Sequence, residues 1–238
     1  MLIILLPGMD GTGSLFYPFT RCLPKHVETK SISYPSQPLS YRQLEEYVVS
    51  QLPATGEYIL VAESFSGPIA LKIAGRANSG LKAVVLVASF AYGALGWVGR
   101  LLARLPLRLI LRIPLPRSLQ RMSLLDKSAR ADLRSAVRRA SKCATPNVLA
   151  GRLKEALAGD YCRQPVSGNA RLIAIFANKD RLLGGFGRQS IVKVCSKIEI
   201  ETIQSPHLAL QSNPIAVVDI LRKYDLLNGN PRTRNLPG

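Results

Sequence analysis

A continuous apolar run, a very short turn and a second apolar segment follow one another between residues 58 and 71. The run YILVA at residues 58–62 predicts a buried strand, and the segment after Ser64 predicts a helix. Three small residues stand where this reversal would bring two backbones close together: Ala62, Ser66 and Gly67. We therefore predict a sharp turn with Ser64 at its tip and the start of a helix directly behind it.

Strand-like and helix-like patterns alternate on both sides of this unit. The predicted strands span residues 1–6, 28–34, 58–63, 81–89, 170–177 and 197–203. The fourth of these runs is apolar almost throughout, which is typical of the middle of a parallel sheet. The alternation predicts an α/β fold with a mostly parallel, doubly wound sheet. Ligands of such sheets bind at the carboxyl ends of the strands, where Ser64 and the Gly8–Gly13 loop are both expected.

Residues 91–165 interrupt this alternation because they contain no strand-like run and carry many arginines and prolines. They predict a helical lid laid over the carboxyl edge of the sheet, inserted between core segments 1–90 and 166–227. Residues 228–238 are rich in Asn, Pro, Gly and Arg and are expected to form a flexible tail. The 238 residues therefore predict one domain with a subdomain insertion.

The strongly basic composition raises the question of a partner. The formal net charge is +17, and such a charge attracts nucleic acid, acidic ligands or anionic lipid surfaces. Nucleic acid is not expected, because aromatic residues make up only 6% and no nucleic-acid-binding module is recognisable. Four arginines follow at four-residue spacing: Arg100, Arg104, Arg108 and Arg112. They form either an ordinary solvated basic face, interrupted at Pro106, or a surface for peripheral association with an anionic membrane while neighbouring leucines line an acyl pocket.

Cysteine and histidine usage argues against a metal site. The four cysteines show neither CxxC nor metal-ligand spacing, and His26 and His207 are the only histidines, so we expect no metal and no cofactor. The apolar N-terminal run ends at Pro7-Gly8 and is too short for a signal peptide or a spanning helix. These features predict a cytoplasmic location, with peripheral attachment to the inner face of a membrane as the second interpretation.

Three polar side chains follow three of the predicted strands: Ser64, Asp180 and His207. A serine hydroxyl becomes a nucleophile when an imidazole takes its proton, and a carboxylate orients that imidazole. The competing candidates are His26 for the histidine, Asp126 or Asp160 for the acid and Ser66 for the serine. The glycine-rich loop after the first strand could supply an N–H to an oxyanion, cradle a phosphate or form a plain turn at Asp10-Gly11.

In this order the motifs resemble the α/β-hydrolase superfamily over residues 1–227. Similarity is carried by LPGM at 6–9 for the oxyanion loop, AESFSG at 62–67 for the nucleophile turn, ANKD at 177–180 for the acid turn and SPH at 205–207 for the histidine loop. The sequence departs from the family at Pro7, where histidine is usual, at Glu63 before the serine, and at Ala62 and Ser66, where glycines are usual.

The resemblance implies a serine hydrolase that cleaves esters or thioesters through an acyl-enzyme, with a small-molecule ester or acyl substrate in an apolar pocket under the basic lid. Ser64 is implied as nucleophile, His207 as base and Asp180 as the acid that orients it. The backbone amides of Met9 and Phe65 are implied to hold the oxyanion. Asp10 is interpreted as a turn residue that could also hold the loop of Met9. Two other functions remain open: an acyltransferase with a lipid-like acceptor, and a non-catalytic ligand-binding protein.

Overall fold

The computed structural model of the chain describes residues 1–76, 80–111 and 131–228. These ranges contain six strands: β1 (Leu2–Leu6), β2 (Glu28–Ser31), β3 (Tyr58–Glu63), β4 (Leu81–Val87), β5 (Arg171–Ala177) and β6 (Glu199–Ile203). They form one sheet in the order β2-β1-β3-β4-β5-β6, and each neighbouring pair is parallel. The α/β class with a parallel sheet, predicted from the alternation of patterns, is confirmed.

The helices of the described ranges connect these strands. They are α1 (Tyr17–Thr20), α2 (Tyr41–Val49), α3 (Gly67–Ala74), α4 (Gly96–Leu102), α5 (Leu107–Ile110), α6 (Ala131–Cys143), α7 (Pro146–Ala158), α8 (Gly184–Val194), α9 (Ala209–Ser212) and α10 (Pro214–Lys223). Short 3-10 turns lie at Ser14–Phe16 and Ser64–Ser66. None of these helices combines the length and the hydropathy that crossing a bilayer requires.

Apolar residues of the strands pack on both faces of the sheet, as doubly wound sheets require. On one face Leu60 and Ala62 pack with Phe65 of the turn after β3 and with residues of α2 and α3. The alternate residues of β3 point to the opposite face of the sheet. There they pack with residues of α1, such as Phe19, and of α10. Because every residue of β3 is buried, the turn after this strand begins from the rigid centre of the domain.

The second strand is shorter than its sequence pattern predicts. The prediction ran to residue 34, whereas β2 ends at Ser31 and all its residues are exposed. The chain leaves the sheet because the Tyr34 amide donates to Gly11 O at 2.7 Å, in the loop after β1. The edge strand therefore ends early, and the chain contacts the loop after β1 instead.

Residues 91–165 contain helices α4 to α7 and no strand in their described part, 91–111 and 131–165. Pro106 separates α4 from α5, as the sequence predicted. Residues 112–130, which include Arg112 and Asp126, lie outside the described residues. The same holds for residues 77–79, where the helix after Ser64 was expected to continue, and for residues 229–238 of the expected tail. The role of this segment as a lid stays a prediction.

Gly67 lies where α3 passes the loop after β4. A Cβ at this position would stand 2.0 Å from Ser89 Oγ and 2.6 Å from the backbone oxygen of Phe90. The contact with a backbone oxygen cannot be relieved by a side-chain rotation. The strand-to-helix turn therefore depends on a residue without a side chain at this position.

We expect Gly67→Ala to destabilise the protein by about 1–3 kcal/mol, because the added methyl group overpacks a contact between two backbones. Urea denaturation measures this change. Gly185→Ala is the matched control, since no atom lies within 4 Å of its Cβ position and it belongs to α8. Equal midpoints for the two variants would contradict the packing argument.

Candidate functional site

The register of the sheet brings the loops after β1, β3, β4, β5 and β6 to one edge. Ala62 pairs with Leu6 and Leu86, so β1, β3 and β4 end at the same level. Ala177 pairs with Ile203 in the same way at the ends of β5 and β6. Carboxyl ends of parallel strands share one edge, and the predicted site residues follow directly after these strands.

Ser64 occupies a strained turn at the end of β3. Its φ is 49°, in the left-handed region that residues with a side chain rarely adopt. The turn is supported by Ser89, whose hydroxyl donates to the backbone oxygen of Ser64 at 2.5 Å. The helical turn that begins at Ser64 leaves the Phe65 amide at its amino end, where amides lack partners within the helix.

Ser64, His207 and Asp180 form one hydrogen-bonded chain. Ser64 Oγ lies 2.8 Å from His207 Nε2, and His207 Nδ1 lies 2.8 Å from Asp180 Oδ2. The ionised carboxylate accepts the Nδ1 proton, which leaves Nε2 free to accept the serine proton. The arrangement can therefore move a proton from the hydroxyl to the imidazole.

Asp180 is held in its charged form. Burial raises its pKa, but the hydrogen bond and charge of His207 and the amides of Leu182 and Leu183 outweigh this effect and lower the pKa below its usual value. Both amides donate to Oδ1, at 2.8 and 3.1 Å, so Oδ2 is left for the histidine. An ionised carboxylate in this position stabilises a positively charged imidazole.

The competing candidates lie elsewhere or have other contacts. His26 Nε2 lies 3.1 Å from the backbone oxygen of Leu227. Asp160 is exposed and pairs with Arg163. Ser66 does not contact the histidine; its hydroxyl bonds to Tyr34 and to a backbone oxygen.

The loop after β1 has the carbonyl oxygens of all four residues Pro7–Asp10 engaged. The Ser66 hydroxyl donates to Pro7 O, and Gly11 N donates to Gly8 O at 3.1 Å. The guanidinium of Arg152 donates to Met9 O at 2.9 Å and to Asp10 O at 2.8 Å. This loop is therefore held in one conformation by partners from three parts of the chain.

The amide of Met9 belongs to a peptide unit beside Ser64. The Cβ position of Gly8 lies 3.9 Å from Ser64 Cβ. In a trans peptide the N–H points opposite to the carbonyl, and Gly8 O is turned toward Gly11. The side chain of Asp10 accepts from the amide and hydroxyl of Thr12 at 3.0 and 2.6 Å, which closes the far side of the loop.

Arg152 is a residue that the sequence analysis missed. It lies in α7, is only 2% exposed, and also donates to Pro35 O at 3.2 Å. A signal was present, because Arg152 follows Val148 and precedes Ala156 by four residues, on the buried face of α7. Gly11, with φ of 70°, makes room for it, since a Cβ there would lie 2.3 Å from the guanidinium.

Ser66 was noted only as a departure from glycine, and its contacts give it a structural part. Its single proton goes to Pro7 O, so the Tyr34 hydroxyl, at 2.5 Å, must donate to Ser66 Oγ. Burial, the largest influence, raises the pKa of Tyr34 and keeps this donor protonated. A glycine at position 66 could not connect the turn after β3 with the loop after β1.

The comparisons with known proteins concern the fold. No protein-family model and no curated protein matches the chain. An esterase from Thermogutta terrifontis superposes with a TM-score of 0.75 at 14% identity, covering 94% of this chain and 89% of that chain. An esterase from Exiguobacterium antarcticum gives 0.72 at 14%, with 94% and 91% covered. The enol-lactonase from Burkholderia xenovorans gives 0.65 at 15%, with 94% and 89% covered.

The chain has the α/β-hydrolase fold. The resemblance seen in the sequence is confirmed at this level by structures that cover nearly the whole chain. In the hydrolase fold found here, the serine turn follows β3, the acid turn β5 and the histidine loop β6.

Ser64 lines neither of two cavities that occur among the described residues. A cavity of about 520 Å³ lies between α2, α3 and the 161–167 loop, with Lys72 and Tyr161 in its wall. A second, of about 210 Å³, lies beside Thr12 and Arg152. Of the leucines that the second interpretation places around an acyl pocket, Leu101, Leu105 and Leu109 are exposed and Leu102 is half-buried, and the acyl pocket stays a prediction.

Glu63, the residue before Ser64, is buried in surroundings that favour its neutral form. Gln211 Nε2 donates to its Oε2 at 3.1 Å, while Oε1 of each side chain lacks a partner among the described residues. Burial is the main cause that raises the pKa of Glu63 to about 8, against the hydrogen bond from Gln211 and with a small contribution from Asp10. The neutral carboxyl is favoured here because, within the described ranges, a buried charge would have only the single donor of Gln211 to compensate it.

We expect the free energy of unfolding to fall as pH rises from about 4.5 to 8, because the folded protein keeps a proton on Glu63 that the unfolded chain releases. Glu63→Gln removes this contribution and flattens the decline. Urea denaturation at several pH values in this window measures it. Glu46→Gln, at an exposed glutamate of α2, is the control and keeps the wild-type slope. A wild-type slope in Glu63→Gln would refute the assignment.

Proposed function

We propose that the protein hydrolyses carboxylic esters or thioesters through an acyl-enzyme on Ser64. The observation that carries this proposal is the chain from Ser64 Oγ through His207 to Asp180, with both links at 2.8 Å. The esterases and the lactonase among the structural neighbours support the same class of chemistry. The parts of this machinery follow from the positions of the side chains.

In the first half of the reaction Ser64 Oγ attacks the substrate carbonyl carbon while His207 Nε2 takes the hydroxyl proton. Asp180 stabilises the imidazolium that results. The tetrahedral intermediate collapses when the bond to the leaving oxygen or sulfur breaks and His207 returns the proton to that atom. The products of this half are the free alcohol or thiol and an ester of Ser64.

The negative oxygen of the intermediate is assigned to the amides of Phe65 and Met9. The amide of Phe65 is free of an intrahelical partner, and the Gly8–Met9 peptide lies beside Ser64. Each donor of this kind contributes about 2.7–4 kcal/mol to the transition state. The position of the Met9 amide is fixed before substrate binds because the carbonyls of its loop are already engaged.

In the second half a water molecule attacks the acyl carbon while His207 accepts its proton. The second intermediate collapses, the bond to Ser64 Oγ breaks, and the proton returns to the serine. The acid product leaves. An alcohol that replaces this water would give acyl transfer, so product analysis with an added alcohol separates hydrolysis from transfer.

The helical segment 91–165 is proposed to act as the lid of this site. Its helix α7 supplies Arg152, which holds Met9 O and Asp10 O and thus connects the segment to the donor loop. Arg152 is a positioning residue in this scheme, because it acts on the transition state only through the loop.

We expect Ser64→Ala to reduce p-nitrophenyl ester hydrolysis by roughly 10⁴-fold or more, because the nucleophile is lost. Labelling by a fluorophosphonate probe should disappear as well. Ser50→Ala, at an exposed serine after α2, is the matched control and should retain both. Unchanged turnover in Ser64→Ala, with unchanged circular dichroism, would reject the proposed function.

We expect Arg152→Lys to lower kcat about 10- to 100-fold with little change in KM, because an ammonium cannot engage the three carbonyls that the planar guanidinium holds. Steady-state kinetics and thermal unfolding are measured together. Arg163→Lys, an exposed arginine of the same segment, should keep wild-type kcat. A lower melting temperature with normal kcat would assign Arg152 a purely structural role.

A further inference from the structure

The helices α4 and α5 and the turn between them present several bulky apolar side chains to the outside. Trp97, Leu101, Leu105 and Leu109 are 69%, 55%, 46% and 59% exposed. Three exposed arginines alternate with them: Arg100, Arg104 and Arg108. We name these seven residues the 97–109 face.

The inner side of α4 carries small residues instead. Gly99 and Ala103 are buried, and a Cβ on Gly99 would lie 3.2 Å from Leu157 O in α7. An amphipathic helix that packs on its own core buries its large apolar residues. Here that order is reversed, so the large apolar residues are available to an external partner.

The charge of the face selects the chemistry of this partner. Residues 91–111 contain three arginines and no aspartate or glutamate, in a chain of net charge +17. A second copy would bring the same positive charges together, and nucleic acid would leave the leucines exposed to water. An anionic bilayer satisfies both parts: arginines contact lipid phosphates while leucines and the tryptophan enter the acyl boundary.

The apolar surface also continues toward the candidate active site. A Cβ on Gly96 would lie 3.0 Å from the ring of Phe186, which is itself exposed, as is Leu182. The amide of Leu182 donates to Asp180 Oδ1. The 97–109 face therefore adjoins the loop that carries the proposed catalytic acid.

We propose that the 97–109 face docks on anionic lipid bilayers and that the substrates are esters that reside at the bilayer surface. The docking surface stands on its own observations, whereas the substrate class rests on the proposed function. Docking would bring the edge of the sheet that holds Ser64 close to the lipid.

The first experiment measures binding of the full chain to vesicles. Co-sedimentation is compared for vesicles of phosphatidylcholine and for vesicles that contain phosphatidylglycerol. Trp97 is the only tryptophan of the chain, so its fluorescence reports directly on this face. We expect sedimentation and a blue shift with anionic vesicles only. Absence of binding, or equal binding to both kinds of vesicle, overturns the proposal.

A pair of triple variants locates the binding surface. The combination of Arg100→Gln, Arg104→Gln and Arg108→Gln should weaken binding about 100-fold. The control combines Arg21→Gln, Arg42→Gln and Arg222→Gln, which removes the same charge from exposed positions elsewhere. Equal loss in both triples would show that only net charge matters. Vesicle-independent dimers that Leu101→Ser and Leu105→Ser disperse would show that a second copy covers the face. Either result overturns the proposal.

A second experiment tests the substrate class. Hydrolysis of a water-soluble p-nitrophenyl butyrate is compared with hydrolysis of a long-chain ester embedded in anionic vesicles. The Arg100/Arg104/Arg108 triple should retain the first activity and lose most of the second. Equal loss or equal retention of both rejects the substrate class. If neither ester is cleaved by the wild type, the proposed function fails, while sedimentation still reports on the docking surface.

Discussion

The left-handed backbone of Ser64 is the constraint on which the site depends. Such a conformation costs about 1–3 kcal/mol and persists only where the surroundings hold it. Here the fully buried β3 holds it from one side, and the close approach of Gly67 to the loop after β4 holds it from the other. Ser89 adds a hydrogen bond to the strained residue itself. This backbone conformation directs the Ser64 hydroxyl away from the edge of the sheet and toward His207.

The loop after β1 depends on the same turn through Ser66. Its four carbonyl oxygens at Pro7–Asp10 all accept hydrogen bonds, and the donors come from α7, from the turn after β3 and from the loop itself. Buried carbonyls without partners would be costly, so any one missing donor would favour another loop conformation. The two proposed oxyanion donors thus belong to one rigid assembly, although Met9 and Phe65 are far apart in sequence.

Local patterns account for most of what could be predicted. The existence and order of the six strands followed from apolar runs, and the loops that bear Ser64, Asp180 and His207 followed from their places after strands. The contacts of Arg152 and Ser66 could not be predicted because their partners are distant in sequence. Arg152 and Met9, for example, are separated by 143 residues. The early end of β2 was missed for the same reason, since it depends on the hydrogen bond from the Tyr34 amide to Gly11 O. No periodicity in one segment encodes such a contact.

Asp180 and Glu63, two carboxyl groups beside the serine turn, are kept in opposite charge states, and the proposed chemistry needs both. Asp180 stays ionised because two amides and His207 compensate its charge, so it can support an imidazolium. Glu63 lies in the chain next to Ser64, where a negative charge would oppose an oxyanion on the attacked carbonyl. Burial raises the pKa of Glu63 to about 8, against the hydrogen bond from Gln211, and so favours the neutral form at neutral pH. Two environments that shift pKa values in opposite directions thus distinguish the ionised carboxylate that orients the histidine from the carboxyl group that stays neutral. A glutamate before the nucleophile is therefore compatible with this turn because it is buried.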